Sequence, residues 1–139
     1  MNTFNQRVIE EFRARRGAVG GQFEGRPLLL LTSTGAKSGL LRTNPVIYLP
    51  DGEDRFAVFA SNGGAPTAPA WYHNLTAHPL ATIEAGAGTY QVRATEAMDE
   101  ERDRLWARQV VADPHFAAFQ ERTRRRIPVM VLTRQHTRP

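Results

Sequence analysis

The chain has 139 residues, of which 41% are hydrophobic and 23% are charged, a composition typical of one globular domain with a substantial core. It contains no cysteine, which excludes disulfide bonds, thiolate metal sites and cysteine catalysis. The net charge of +4 favours an anionic partner, which by charge alone could be nucleic acid, a membrane surface or a phosphorylated small molecule.

Residues 2–16 are predicted to form a helix, because Phe4, Val8, Ile9 and Phe12 fall on one face. We expect this helix to cover one side of the core, with contact at a membrane surface as the alternative, since arginines flank the apolar stripe. The N-terminal sequence lacks the apolar segment of a signal peptide, and no apolar run is long enough to cross a membrane. The sequence therefore predicts a cytoplasmic location, with membrane contact at most peripheral.

Two short apolar runs, residues 28–31 and 46–49, are predicted to be strands, because Gly and Pro bound them and they are too short for helices. The loop between them combines small residues, hydroxyl groups and two cations, Lys37 and Arg42, and Lys37 is the only lysine of the chain. Such a mixture suits a phosphate or another anion, and an ordinary polar turn is the alternative. A P-loop is excluded, because Ala36 stands where that motif needs glycine and a strand follows instead of a helix.

A predicted strand over residues 55–61 leads into a Gly- and Pro-rich loop, which is a second candidate for a ligand site. The helix predicted over residues 70–77 presents polar and aromatic side chains near its N-terminus, the end that favours anions, although its Trp and Tyr are more typical of a core. Its two histidines, His73 and His78, lack a third ligand at metal spacing, so no metal site is predicted.

The remaining chain is predicted to form a hairpin over residues 80–96, two helices and a last strand over residues 127–133, placed at a sheet edge because of Pro128. Asp99 is expected to cap the first of these helices. The basic run 122–126 could contact nucleic acid, but a solvated face is favoured, since no aromatic residues are interleaved with it. About six strands joined mostly by hairpins predict an antiparallel barrel with helices packed outside it.

Four segments in this order, GRPLLLLTSTGAKSG, SNGGAP, PAWYHNL and RIPVMVL, resemble the deazaflavin-dependent nitroreductase family, whose members reduce substrates with the reduced deazaflavin coenzyme F420. The resemblance implies a mainly β fold with flanking helices, the split β-barrel of flavin-binding reductases, as a single domain over residues 1–139. It further implies an oxidoreductase that transfers a hydride to a quinone, nitro compound or activated alkene. A non-catalytic deazaflavin carrier and an FMN-dependent oxidoreductase on the same barrel are the alternatives, and a nucleic-acid binder comes last.

The resemblance also assigns site residues. It implies that the coenzyme's phosphate and acidic tail are held by Ala36, Lys37 and Ser38. The next coenzyme-contacting segment would be Arg42, Thr43, Asn44, Pro45, Val46 and Ile47. The strand end along the deazaflavin ring would be Phe59, Ala60, Ser61 and Asn62, and the helix start over the coenzyme would be Ala70, Trp71, Tyr72, His73 and Asn74. We expect Ser61 and Tyr72 to hydrogen-bond near the ring as candidate catalytic groups.

The acceptor pocket is expected to include Asp113, Phe116 and Phe119. Family members that reduce nitroimidazoles carry tyrosines in this stretch, so we expect quinone reduction here and weak or absent nitroimidazole reduction. The predicted partner is a quinone-like small molecule and not a nucleic acid, and the chain is expected to be a monomer or a weak dimer.

Overall fold

The computed structural model describes residues 3–136 and shows six antiparallel strands closed into a barrel in the order β1-β2-β3-β6-β5-β4. The strands are β1 (Leu28–Thr34), β2 (Leu41–Pro50), β3 (Arg55–Phe59), β4 (Leu80–Ala85), β5 (Gly88–Ala97) and β6 (Val129–Arg134). The helices are α1 (Thr3–Ala14), α2 (Ala70–Ala77), α3 (Asp99–Ala112) and α4 (His115–Glu121). The predicted barrel with outer helices is therefore confirmed. The predicted first helix began at residue 2, which lies outside the described residues.

The barrel interior is built from alternate residues of the strands. Leu29 and Leu31 of β1, Val58 of β3 and Leu132 of β6 point inward and are almost fully buried. Helix α2 contributes Trp71 and Leu75 to the same cluster. Their neighbours in sequence point outward, which is why these strands read as continuous apolar runs: both of their faces are covered.

The outer helices cover two faces of the barrel. Val8, Ile9 and Phe12 of α1 pack on the outward side chains of β1, whereas Phe4, predicted on the same face, is 50% exposed. Helices α3 and α4 cover β3 and β6. Ile47 of β2 contacts both outer clusters, so the outer face of β2 lies between them. None of the helices in the described part of the chain is long and apolar enough to span a membrane.

Three local expectations are wrong. Strand β6 is hydrogen-bonded on both sides, to β3 and β5, so it is not an edge strand. Pro128 is tolerated because it lies just before the strand, where its carbonyl accepts a hydrogen bond from the Ala60 amide at 2.9 Å. Asp99 does not cap α3, since Met98 holds the N-cap position, no side-chain cap bond forms there, and Asp99 itself has a φ of 51°.

The loop predicted between the first two strands is also too long. Strand β1 continues to Thr34 and β2 already begins at Leu41, so Arg42, Thr43 and Asn44 are strand residues and the loop spans only residues 35–40. Thr32 lies opposite Thr43, and their hydroxyl oxygens are 2.8 Å apart. These polar residues of β2 are in the sheet because they pair with β1, whose apolar residues are buried, although their own sequence favours a loop.

The basic run 122–126 is only partly a solvated face. Arg122, Arg124 and Arg126 are exposed, but Arg125 is partly buried. Its guanidinium donates hydrogen bonds to the carbonyls of Ala60, Ser61 and Ala65 at 2.8–3.0 Å. Arg125 therefore ties the loop after β3 to the segment that follows α4.

Candidate active site

A large cavity of about 1010 Å³ lies between the 35–40 loop, the start of β2 and the first half of α2. Nine of its lining residues are among those predicted to bind the coenzyme, namely Ala36, Lys37, Ser38, Arg42, Thr43, Asn44, Ala70, His73 and Asn74. Sequence reasoning missed Asn5, Gly35 and Leu41, which also line it. Segments that are far apart in sequence are thus brought together as expected.

Asn74 fixes the shape of the 35–40 loop. This side chain is 8% exposed, its Oδ1 accepts a hydrogen bond from the Ala36 amide at 2.9 Å, and its Nδ2 donates to Ser33 Oγ at 3.4 Å. The loop is closed on itself by the bond from the Gly35 amide to the Leu40 carbonyl at 2.8 Å. The backbone that carries Lys37 is therefore preorganised.

Lys37 and Arg42 supply free positive charge at this cavity. Both residues are exposed, and within residues 3–136 neither makes an ion pair or hydrogen bond through its side chain. By contrast, most of the other arginines in residues 3–136 donate hydrogen bonds to a carboxylate or a carbonyl group. A pair of cations left without partners beside a preformed loop is what an anionic ligand requires.

A smaller cavity of about 360 Å³ is also lined by Asn44, so the two cavities share one residue of β2. Its predicted lining residues are Asn44, Pro45, Val46, Ile47, Phe59, Ser61, Asn62, Trp71, Phe116 and Phe119. The aromatic side interlocks: the ring centroids of Phe59 and Phe116 are 5.7 Å apart, and those of Phe116 and Phe119 are 5.1 Å apart. Edge-to-face packing of this kind gives a rigid apolar wall.

The comparisons with known proteins agree with this geometry. The family model for F420H(2)-dependent quinone reductases matches residues 5–134. The chain belongs to this family. It is 40% identical over 130 residues to the F420H(2)-dependent quinone reductase Rv1261c of Mycobacterium tuberculosis, covering 89% of this chain and 85% of that protein.

Two solved structures extend the likeness to the fold. One is titled a structure of an F420-H2 dependent reductase, FDR-A, with a TM-score of 0.70 and 38% identity over 77% of this chain and 94% of that one. The other is described as a domain-swapped dimer, with a TM-score of 0.72 and 34% identity over 91% of this chain and 95% of that one. As a member of this family, the chain is an oxidoreductase that has the split β-barrel fold and uses coenzyme F420 as its cofactor.

The residues present fit that coenzyme chemically. A phosphate and an oligoglutamate tail need cations and backbone or side-chain donors, which Lys37, Arg42 and the 35–40 loop provide. A planar ring system needs an apolar, partly aromatic surface, which the smaller cavity provides. Within the described residues, no group of three or more His, Asp or Glu side chains could hold a metal ion.

Three predicted site residues line neither cavity. Ala60 is fully buried in the barrel interior. The hydroxyl of Tyr72 donates a hydrogen bond to Glu96 Oε1 at 2.6 Å. Burial, followed by this bond to a carboxylate, raises the pKa of Tyr72 to about 12. The Tyr72 hydroxyl thus points to β5, and this placement does not support the role beside the ring that was expected of Tyr72. Ser61, the other candidate catalytic residue, does line the smaller cavity.

Asp113, the third of these residues, anchors Arg26 and does not line the smaller cavity. Its Oδ2 accepts hydrogen bonds from Arg26 Nε at 2.7 Å and from a second guanidinium nitrogen, and its Oδ1 accepts from the His115 amide at 3.3 Å. Burial acts to raise the pKa of Asp113, but its hydrogen bond with the His115 ring and the Arg26 charge outweigh it, so the pKa lies below its ordinary value. The carboxylate is therefore ionised at neutral pH.

Besides Gly63 and Pro69, which flank predicted site residues, sequence reasoning missed three residues at the smaller cavity, Gln22, Phe23 and Arg26. They lie in the connection between α1 and β1, which carries no periodic apolar pattern. The one available signal was a charged residue, Arg26, two positions before the first residue of a buried strand. Its partner is 87 positions away, so the pair becomes visible only when the barrel is assembled.

We expect Asp113→Asn to lower the free energy of unfolding at pH 7 by about 1.5–3 kcal/mol, because a partly buried hydrogen-bonded charge pair is lost. The folded-state pKa of Asp113 is depressed, so its contribution is present above the unfolded value near 3.9 and disappears as the pH falls through the folded value. Urea unfolding of both proteins from pH 7 towards pH 3 should show the difference closing. The matched control is Asp54→Asn, at a surface pair with His136, with an expected cost of under about 1 kcal/mol. If the difference in unfolding free energy between the two proteins stayed constant down to pH 3, the charge of Asp113 would not be the cause of that difference.

Proposed function

We propose that this chain reduces quinones with a hydride from reduced coenzyme F420, with the coenzyme's tail at the large cavity and its ring and the acceptor at the smaller one. The observation that carries this proposal is the difference in lining between two cavities that share Asn44: one is cationic and the other is aromatic. One has two cations without partners among residues 3–136, Lys37 and Arg42, and the other has an aromatic wall with Phe59, Phe116 and Phe119. Asn44, common to both, would mark the junction between tail and ring.

At the tail end, the protein contributes charge and preorganisation. Lys37 and Arg42 would bind phosphate and carboxylate groups through charge-assisted hydrogen bonds. The loop that carries Lys37 is already held by Asn74, so little conformational entropy remains to be lost on binding. Exposed groups of α2, such as His73, would lie along the same ligand.

At the ring end, the protein contributes position and exclusion of water. Reduced F420, when bound, supplies a hydride and its electron pair. Phe59, Trp71 and Phe116 form a buried apolar surface against which planar molecules pack. Ser61, 8% exposed and on the wall of this cavity, remains the predicted hydrogen-bonding residue beside the ring.

The acceptor side favours quinones over nitro compounds. Phe116 and Phe119 cannot donate a proton, and Asp113 is ionised and engaged with Arg26. A reduced nitro group must gain a proton early, whereas a hydroquinone anion is stable enough to take one from water. Activated alkenes raise the same demand as nitro compounds, because a carbanion must be protonated.

The experiment is to mix the protein, reduced F420 and menadione, and to follow oxidised coenzyme by absorbance. We expect turnover. Tight coenzyme binding without turnover would replace this proposal with the carrier function, and tighter binding of FMN than of F420 would contradict the proposed site.

We expect Phe119→Tyr to raise nitroimidazole reduction, by up to about a hundredfold, the low end of what a positioned proton donor contributes. Phe119 lines the cavity and is only partly buried, so an added hydroxyl should be tolerated better there than at Phe116, which is 4% exposed. Menadione turnover should change little. Phe56→Tyr, which lines neither cavity, is the control and should leave both rates unchanged. Nitroimidazole reduction by the unmodified protein as fast as that of menadione would show that a missing phenol does not set the preference.

We further infer a dimer in preference to a monomer. The support is the likeness to a solved structure described as a domain-swapped dimer. Light scattering coupled to size-exclusion chromatography at micromolar concentration distinguishes the two states, and a mass near the chain's 15.6 kDa would contradict the dimer.

A further inference from the structure

Arg26 is a cation at the acceptor cavity that the coenzyme's anionic tail does not explain. It lies in the connection before β1 and lines the smaller, aromatic cavity, not the one that holds Lys37 and Arg42. Its side chain is 24% exposed, which is low for an arginine. A partly desolvated guanidinium beside Phe116 and Phe119 has a stronger electrostatic effect than one at the open surface.

The guanidinium of Arg26 is held by two partners, Asp113 and the Gln22 carbonyl. Arg26 Nε and one terminal nitrogen donate to Asp113 Oδ2, and Nη1 donates to the Gln22 carbonyl at 3.2 Å. The contacts within residues 3–136 therefore use three of its five N–H groups and leave two for a ligand. Asp113 in turn is fixed by the His115 amide and ring, so the cation is oriented by a buried carboxylate that does not itself reach the cavity.

Quinone reduction places negative charge on the acceptor, and a nearby cation can stabilise that charge. When a hydride bonds to one carbonyl oxygen of a quinone, an electron pair moves through the ring to the opposite oxygen, and the product is a hydroquinone monoanion. A proton from water then completes the hydroquinone. Reduced F420 is the two-electron donor, so electrons and protons balance. The barrier falls if a preorganised cation or N–H donor meets the oxygen where charge develops.

We propose that Arg26, oriented by Asp113, donates a hydrogen bond to the acceptor oxygen that becomes negative, and so stabilises the transition state of quinone reduction. This inference rests on the proposed quinone reductase function and adds to it the residue that carries the acceptor's charge. It also assigns Asp113 a positioning role in place of the predicted direct contact with substrate.

The test compares Arg26→Ala, Arg26→Lys and Arg26→Gln with the unmodified protein, using menadione and saturating reduced F420. We expect Arg26→Ala to lower kcat/KM by about tenfold to a hundredfold, with the loss mainly in kcat, because the interaction forms in the transition state. The coenzyme dissociation constant, measured by fluorescence, should change much less than kcat/KM, because the anionic tail binds at the other cavity. Arg26→Lys should retain more activity than Arg26→Gln, since it keeps the charge.

Chemical rescue separates electrostatics from packing. Low millimolar guanidinium, far below denaturing concentrations, should restore part of the rate of Arg26→Ala. The matched control is Arg13→Ala, which also breaks an arginine–carboxylate pair, at 2.9 Å from Glu84, but lines neither of these two cavities. It should show no loss and no rescue.

Two results would overturn the inference. One is an unchanged kcat/KM for Arg26→Ala. The other is a loss that is shared equally by Arg26→Lys and Arg26→Gln and is not rescued by guanidinium. An unmodified protein that fails to oxidise reduced F420 with menadione would instead contradict the proposed function, so the two failures are distinguishable.

Discussion

Replacing both Lys37 and Arg42 with alanine should raise the dissociation constant of F420 by about a hundredfold to ten-thousandfold. Each side chain would form charge-assisted hydrogen bonds with the anionic tail, and each such bond contributes about 1.5–3 kcal/mol. Lys37→Ala alone should weaken binding by roughly tenfold to a hundredfold. Neither side chain has a partner within the described residues, so their removal breaks no internal contact and should leave the melting temperature unchanged.

The control for this pair is the double variant Arg93→Ala with Arg124→Ala. Both of these arginines are exposed and line neither cavity, and their removal changes the net charge equally. Fluorescence titrations at two salt concentrations measure the effect, which should shrink at high salt, where screening already weakens the ionic contacts. If both double variants lost the same affinity for F420, Lys37 and Arg42 would act only through the overall positive charge of the surface and not through direct contact with the tail.

Gly64→Ala should lower the free energy of unfolding by about 2–5 kcal/mol, which corresponds to a melting temperature about 6–20 °C lower. Gly64 has a φ of +86°, a left-handed conformation that strains alanine. A Cβ there would also lie 2.6 Å from the Phe119 carbonyl oxygen and 2.9 Å from Arg122 Cβ. The loop after β3 would have to move away from α4, and quinone turnover should fall with it.

Gly52→Ala is the matched control, because Gly52 has a φ of +84° but no atom within 4 Å of the added Cβ. Its cost should be the backbone strain alone, about 1–2 kcal/mol. Thermal unfolding of the two variants thus separates strain from close packing. Equal melting temperatures would mean that the loop after β3 can shift away from α4 at little cost in stability.

Local sequence predicted most of the fold because the strands and α2 are delimited by Pro, Gly and clear apolar runs. The helix over Ala70–Ala77 has the predicted ends, and the strand Leu80–Ala85 begins where the hairpin was predicted to begin. The start of β2 could not be predicted, since Arg42 and Thr43 are polar and reach the ladder only through β1. The family resemblance, not periodicity, brought these residues into the candidate site.

The candidate site was predicted best where backbone segments determine it and worst where side-chain direction does. The 35–40 loop and α2 do meet at one cavity, as expected from the resemblance. Tyr72 is on the expected helix turn, but its hydroxyl points to Glu96. Arg26 was missed and Asp113 was assigned a substrate contact, because the pairing of two residues 87 positions apart follows from the closed barrel and from no local pattern.

The order of strands around the barrel also has a consequence for folding. Strand β6, the last strand along the described chain, pairs with both β3 and β5, and Leu31 of β1 must pair with Ile83 of β4, more than a third of the sequence away. Long-range pairings of this kind form slowly, because loop-closure entropy is lost before contacts compensate it. A nascent chain on the ribosome therefore cannot close the barrel until β6 has emerged.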